Sequence, residues 1–318
     1  MTPQEICKEF ISCEVKLVSP LSGGHINETF LIETEDVHYV CQRLNKGMDI
    51  NALLKNYEMY ASACDRFGLV YPVWIKTRNG NRFYTDSDGY RWRMYPYLDG
   101  EILSAPLSEE KLRACGHGIA RIHMALQTMQ DMPQPVYPML HDLKHYYKEY
   151  QKLLESTHLI EDNRNADIED LITARIGMML DATKDYSSPS IVHGDMKLAN
   201  ILFRDCEVIG FLDFDTVMTG YVEEDIADCI RSCCITDGIV NRDAANTLIS
   251  GYTALSEVSP EFPERVWKAF RKICFELGLR YYMDAISEKK HFRVTSPEYR
   301  IGKAESLLKM AGEDWDLI

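Results

Sequence analysis

The chain predicts an α+β protein of two unequal lobes, a small antiparallel-sheet lobe over residues 1–98 and a larger, mainly helical lobe over residues 99–318. Three features carry that expectation. Short runs rich in β-branched and aromatic residues fill the first hundred positions. Apolar residues at helical spacing dominate from about Ser108, and one strand-rich patch, Ser190 to Asp215, interrupts them. A length of 318 residues also exceeds the usual size of one hydrophobic core.

The elements follow in order. Thr29 to Glu33 and His38 to Leu44 read as strands, and Glu35, Asp36 and Val37 between them make a tight turn, so the pair predicts a hairpin. Ile50, Leu53, Leu54, Tyr57, Ala61 and Cys64 lie on one face of a helix over 50–64. Asn81 to Thr85 and Tyr90 to Tyr97 read as two further strands, separated by the turn formers Asp86, Ser87, Asp88 and Gly89. A hinge is expected near Tyr95 to Gly100. Helices are expected over Glu109 to Met129, His141 to Ser156 and Ile168 to Lys184, and another around Val266, Phe270, Ile273, Cys274 and Leu277.

Composition narrows the partners. Hydrophobic residues make up 46% and charged residues 26%, ordinary values for a packed soluble chain. The net charge of −14 repels phosphate backbones and anionic lipids, so neither nucleic acid nor a membrane surface is expected as a partner. The ten cysteines include one cluster, Cys229, Cys233 and Cys234, without the paired spacing of a zinc site, and free thiols near a buried helix are expected. No signal peptide and no apolar run of membrane-spanning length is read, and a cytoplasmic protein, monomer or homodimer, is expected.

The most informative stretch is Ile191-Val192-His193-Gly194-Asp195-Met196-Lys197-Leu198-Ala199-Asn200-Ile201-Leu202-Phe203. Two apolar strand-like segments flank a polar loop that carries an Asp, a Lys two residues on and an Asn five residues on. A second apolar strand, Val208 to Leu212, then ends abruptly in Asp213 and Asp215. Phosphoryl transfer asks for such parts, because it is mainly positioning and charge neutralisation. A carboxylate must accept the proton of the attacking hydroxyl, oxygen ligands must hold Mg²⁺ against the phosphates, and a cation must spread the developing charge. Asp195 suits the base, Asn200 and Asp213 the metal ligands, and Lys197 the cation. The spacing H-x-D-x-x-x-x-N matches the protein-kinase catalytic loop. A protein kinase is nevertheless not expected, since Asp213-Phe214-Asp215 replaces Asp-Phe-Gly and no Ala-Pro-Glu follows. His193 is expected to orient the loop through hydrogen bonds.

No G-x-x-x-x-G-K-[ST] occurs, which excludes a P-loop. The expected phosphate cover is Leu21 to Asn27, where Gly23 and Gly24 would let backbone N–H groups approach phosphates; an ordinary hairpin turn is the alternative. The strand Tyr39 to Leu44 lacks the lysine that a kinase carries there. Gln42 or Arg43 must serve, and the two point to opposite faces. Glu58 on the following helix is a candidate partner. The Met94 to Leu98 stretch, with Tyr97, would face adenine.

Together the segments Gly24 to Phe30, Tyr39 to Asn45, Tyr95 to Glu101, His193 to Phe203, Leu212 to Gly220 and Asp225 to Ser232 resemble the aminoglycoside phosphotransferase and choline kinase superfamily, over nearly the whole chain. The nearest look-alikes are the N-acetylhexosamine 1-kinases. The resemblance implies a two-lobed protein-kinase-like fold, ATP and Mg²⁺, and Asp195, Asn200 and Asp213 in the roles above. It further implies that Asp225 braces the catalytic loop and that His25, Arg231 and Lys303 or nearby Arg300 contact the acceptor. The expected reaction is phosphorylation of a small-molecule hydroxyl, a sugar and above all the anomeric hydroxyl of an N-acetylhexosamine. Choline, homoserine or an aminoglycoside is the alternative acceptor, and a nucleotide-binding pseudokinase the alternative class, motivated by the missing lysine.

Overall fold

The computed structural model describes residues 1–21, 27–236, 238–288, 292 and 296–312. A short helix, α1 (Pro3–Cys7), precedes strands β1 (Leu17–Pro20), β2 (Glu28–Glu33) and β3 (His38–Arg43). Helix α2 (Ile50–Phe67) follows, then β4 (Tyr84–Thr85) and β5 (Arg91–Pro96). The strands form one antiparallel sheet in the order β1-β2-β3-β5-β4. The predicted hairpin is β2–β3, with Thr29 opposite Gln42. Asp49 caps α2 by accepting the N–H groups of Asn51 and Ala52, and Gly68, at φ +62°, ends it in the left-handed region that glycine occupies without strain.

Side chains alternate across the sheet. One face, with Ile32, Cys41, Trp92 and Met94, packs on Ile6 and Cys7 of α1 as a small core. The other face presents Thr29, Val40, Gln42, Arg93 and Tyr95 to an open cavity.

The helical part holds α3 (Glu109–Leu126), α4 (Leu143–Leu154) and α5 (Ala166–Asp181), then strands β6 (Ser190–Val192), β7 (Ile201–Arg204), β8 (Glu207–Phe211) and β9 (Met218–Gly220). Helices α6 (Val222–Cys233), α7 (Arg242–Thr253), α8 (Phe262–Ala285) and α9 (Pro297–Met310) complete it. The main core runs from α2 through α3, α6, α8 and α9. Tyr60 of α2 stacks on Phe214 with ring centroids 4.4 Å apart, which joins α2 to the strand end at Asp213. Cys229, Cys233 and Cys234 are buried free thiols on and just after α6.

Several boundaries differ from expectation, three of them for a visible reason. The helix predicted from His141 starts at Leu143, because His141 sits at φ +59° and Asp142 caps the helix by accepting from His145 N. The strand predicted from Asn81 starts at Tyr84, because Asn81 closes a turn in which its carbonyl accepts from Thr77 N at 2.7 Å. The helix predicted from Ile168 to Lys184 begins at Ala166, and its final turn tightens to 3₁₀ over Ala182–Asp185. Among the described residues, no helix is long and apolar enough to cross a membrane.

Candidate active site

The polar loop is shaped by what holds its backbone. β6 pairs with β9 and β7 with β8, so the loop leaves one two-stranded ladder and enters another. Gly194 takes φ +79°, and a Cβ there would lie 2.4 Å from the Thr216 carbonyl oxygen, so this turn needs glycine. Asp225, from the first turn of α6, accepts the backbone N–H of His193 at 2.7 Å and of Gly194 at 2.9 Å. His123 Nε2 meets the same carboxylate at 2.9 Å. Burial alone would raise the Asp225 pKa, but these donors outweigh it and lower it. The buried His193 ring reaches Leu212 O through Nε2 at 2.9 Å, and burial pushes its pKa down, in keeping with an orienting role.

On this frame the Asp195 carboxylate accepts from Lys197 Nζ at 2.6 Å and from Asn200 Nδ2 at 3.0 Å. Burial favours the neutral acid, yet Lys197 and Asn200 lower the Asp195 pKa overall. Asn200 also donates to the Asp195 carbonyl at 2.7 Å, so its amide nitrogen is committed to the loop and its oxygen is turned elsewhere. Asp213 lies at the β8 end with φ +59°, a left-handed turn that breaks the strand and sets the carboxylate into the cleft. Burial, then the charges of Asp215 and Asp195, push its pKa up to about 7. A half-buried carboxyl among two other acids is short of a cation, and Asp213 with Asn200 offers the hard oxygen donors that Mg²⁺ takes. Among the described residues no group of three His, Cys, Asp or Glu side chains could hold a metal.

Two cavities meet here. The larger, about 640 Å³, lies under the sheet and is lined by Gln42, Arg93, Tyr95 and Tyr97 above and by Asn200, Leu212, Asp213 and Asp215 below. The smaller, about 500 Å³, is lined by Ser104, Arg231, Ser232, Lys303 and Ser306. Leu103, Lys197 and Ala199 line both.

The structure therefore gathers Gln42, Tyr97, Asp195, Lys197, Asn200, Asp213, Arg231 and Lys303, and it leaves three candidates outside. Arg43 faces away from the cavity, paired with Glu28 and 4.4 Å over the Tyr90 ring, because its neighbour Gln42 takes the inward position. Glu58 is exposed on α2 and lines neither cavity. Arg300 is buried beside Asp284, whose carbonyl accepts from its Nη1 at 3.3 Å; one turn on, Lys303 faces the smaller cavity. Gly23, Gly24 and His25 lie outside the described residues.

Sequence reasoning missed Arg93 and Asp215. Gln42 Oε1 accepts from Arg93 Nε at 2.8 Å, and the Arg93 guanidinium binds Asp215. The signal was present: Arg93 sits between Trp92 and Met94 in the buried middle of the strand, on the face that also carries Gln42.

An antiparallel sheet closing over a helical body, with this loop and strand end in the cleft, defines a small-molecule kinase of the protein-kinase-like fold. The chain belongs to the phosphotransferase enzyme family (APH), whose model matches residues 17–258. It is 23% identical over 241 residues to a homoserine kinase of Methylorubrum populi, covering 76% of this chain and 72% of that one. A homoserine kinase of Methylobacterium radiotolerans is 26% identical over 243 residues, covering 74% and 70%. Among solved structures, amicoumacin kinase hAmiN in complex with AMP-PNP, Ca²⁺ and Ami superposes with TM-score 0.73 at 13% identity, covering 98% of this chain and 93% of that one. A microcompartment-associated aminopropanol kinase gives TM-score 0.73 at 16% identity, covering 97% and 95%. None of these names is an N-acetylhexosamine kinase, the look-alike expected from the sequence.

Proposed function

We propose that the chain transfers the γ-phosphoryl group of Mg²⁺-bound ATP to a hydroxyl of a small molecule held in the smaller cavity, with Asp195 as the general base. The observation that carries this reading is the place of Asp195: its carboxylate is gripped by Lys197, which lines both cavities, and by Asn200, which lines the larger. An acceptor hydroxyl reaching this junction would give its proton to the Asp195 oxygen. A lowered pKa keeps that oxygen ionised at neutral pH, and the loop contacts hold it in place. Lys197 would shift its charge toward the transferring group as the proton arrives. Tyr95 and Tyr97 would wall the nucleotide base, Asn200 and Asp213 would hold the metal, and Gln42 with Arg93 would stand where kinases of this fold place a lysine. Bound Mg·ATP supplies the phosphoryl group and offsets the charge of the phosphates.

Two acceptor classes fit this reading. The sequence resemblance implies a sugar hydroxyl, foremost the anomeric hydroxyl of an N-acetylhexosamine, and the curated relatives named homoserine kinase favour the alcohol of a hydroxy amino acid. ADP release with Mg·ATP across N-acetylhexosamines, homoserine, choline and an aminoglycoside tests the proposal. Acceptor-dependent ADP formation with phosphate appearing on the alcohol is the expected result. Tight nucleotide binding without transfer to any of them would favour the non-catalytic binding module instead.

A further inference from the structure

The lining of the smaller cavity has a one-sided charge. Among the described residues its charged side chains are Lys197, Arg231 and Lys303, and no Asp or Glu lines it. Two of the three cations are matched from behind, Lys197 by Asp195 at 2.6 Å and Arg231 by Asp228 at 2.8 Å. Lys303 makes no hydrogen bond or ion pair among the described residues. Burial and then the neighbouring Arg231 lower its pKa, so the ammonium is partly desolvated beside a like charge. That arrangement is unfavourable unless an anion completes it. Counting the charges that line the cavity against their partners leaves one positive charge over.

Resting on the reading that this cavity holds the acceptor, we propose that the acceptor is a carboxylate-bearing alcohol, its carboxylate bound between Arg231 and Lys303 and its hydroxyl directed to Asp195. A single uncompensated charge matches a monoanion better than a phosphate dianion. A neutral sugar would leave Lys303 unmatched, and a polycationic aminoglycoside would be repelled. The charge of the described lining is thus opposite to that of the chain, whose net charge is −14. Acidic surroundings discourage free anions from approaching, so the pocket itself must supply the recognition.

Matched alcohols that differ only in the carboxylate test this: homoserine against 3-aminopropan-1-ol, glucuronate against xylose, and 4-hydroxybutanoate against propan-1-ol. Each is assayed for kcat/KM with wild-type enzyme, Lys303→Gln and Lys303→Arg. The expected result is a preference of about tenfold to a hundredfold for the anionic member of the pair that is turned over, the worth of one hydrogen bond to a charged group. Lys303→Gln should shrink that ratio toward unity and Lys303→Arg should keep it. Preference for the neutral members, or a ratio that Lys303→Gln does not move, overturns the inference and leaves the kinase reading standing. Mg·ATP binding with transfer to none of the six alcohols counts against the kinase reading, and this inference falls with it.

Discussion

The Arg93 guanidinium binds the Asp215 carboxylate through two hydrogen bonds, 2.6 Å from Nη1 to Oδ1 and 2.8 Å from Nη2 to Oδ2, with both side chains only 4% exposed. Asn27 Nδ2 adds a third donor to the same carboxylate at 3.0 Å, and Asn27 Oδ1 accepts from Asn45 N. Arg93, Asn27 and Asn45 belong to the sheet side of the cleft, while Asp215 lies two residues past Asp213 on the helical side. The ion pair therefore ties the two walls together at the turn that aims Asp213. Arg93 also lies 4.8 Å over the Trp74 ring, which fixes the guanidinium plane.

Arg93→Met should leave Asp215 buried without its partner and destabilise the fold by about 3–5 kcal/mol. Arg93→Met combined with Asp215→Leu should recover much of that loss, because the unpaired charge is gone. Both variants should raise the KM for Mg·ATP, since neither keeps the tether beside Asp213. Thermal unfolding and steady-state kinetics check this; a single variant as stable as wild type would remove the pair from the account.

Asp195→Asn should lower kcat by ~10²–10⁴-fold, the usual worth of a general base. Nucleotide affinity should stay near wild type, because Asp195 is held at the junction and not among the residues facing the nucleotide from the sheet. Single-turnover kinetics with a nucleotide titration separates the two effects, and a wild-type rate would assign the base elsewhere.

His141 carries a pH dependence. Its Nε2 donates to the Gly194 carbonyl at 2.8 Å and its Nδ1 to Glu276 at 3.2 Å, so both nitrogens act as donors and the ring is an imidazolium. Burial opposes that charge, but Glu276 outweighs it and lifts the pKa to about 9, while Glu276 itself is lowered to about 2. A raised histidine pKa means that its stabilisation is full below the ordinary value of 6.5 and is lost as pH rises through about 9. The lowered Glu276 keeps its share above 4.5 and loses it only as pH falls toward 2. The unfolding temperature of wild type should therefore exceed that of His141→Gln most clearly near pH 6, with the gap closing above pH 9. A gap that stays constant from pH 6 to 10 would place the stabilisation elsewhere.

Much of this site could be read along the chain because its parts are close in sequence. Asp195, Lys197 and Asn200 share one loop, and Asp213 ends the next strand but one, so local spacing and the apolar flanks were enough to find them. The residues that reading missed or misplaced meet only through the fold. Arg93 and Asp215 are 122 positions apart. Arg300 and Lys303 differ by less than one helical turn, and only the packing of α9 on α8 decides which of them faces the cavity.

The acidic stretch at the start of α6 makes the same point. Glu223, Glu224, Asp225 and Asp228 have the composition of a solvated helix face, yet all four are buried, each against a cation or histidine from a distant element or the next turn: Arg265, Lys272, His123 and Arg231. By itself the sequence indicated the fold class, the β2–β3 hairpin, helices α2 to α5 and α8, and the close spacing of Asp195, Asn200 and Asp213, since periodicity and short spacing are local properties. The tertiary structure alone decided which charges are buried, which face of β3 and α9 looks into the cleft, and that the charged side chains described around the smaller cavity are positive. Burial and charge pairing arise between segments far apart in the chain, and no local pattern records them.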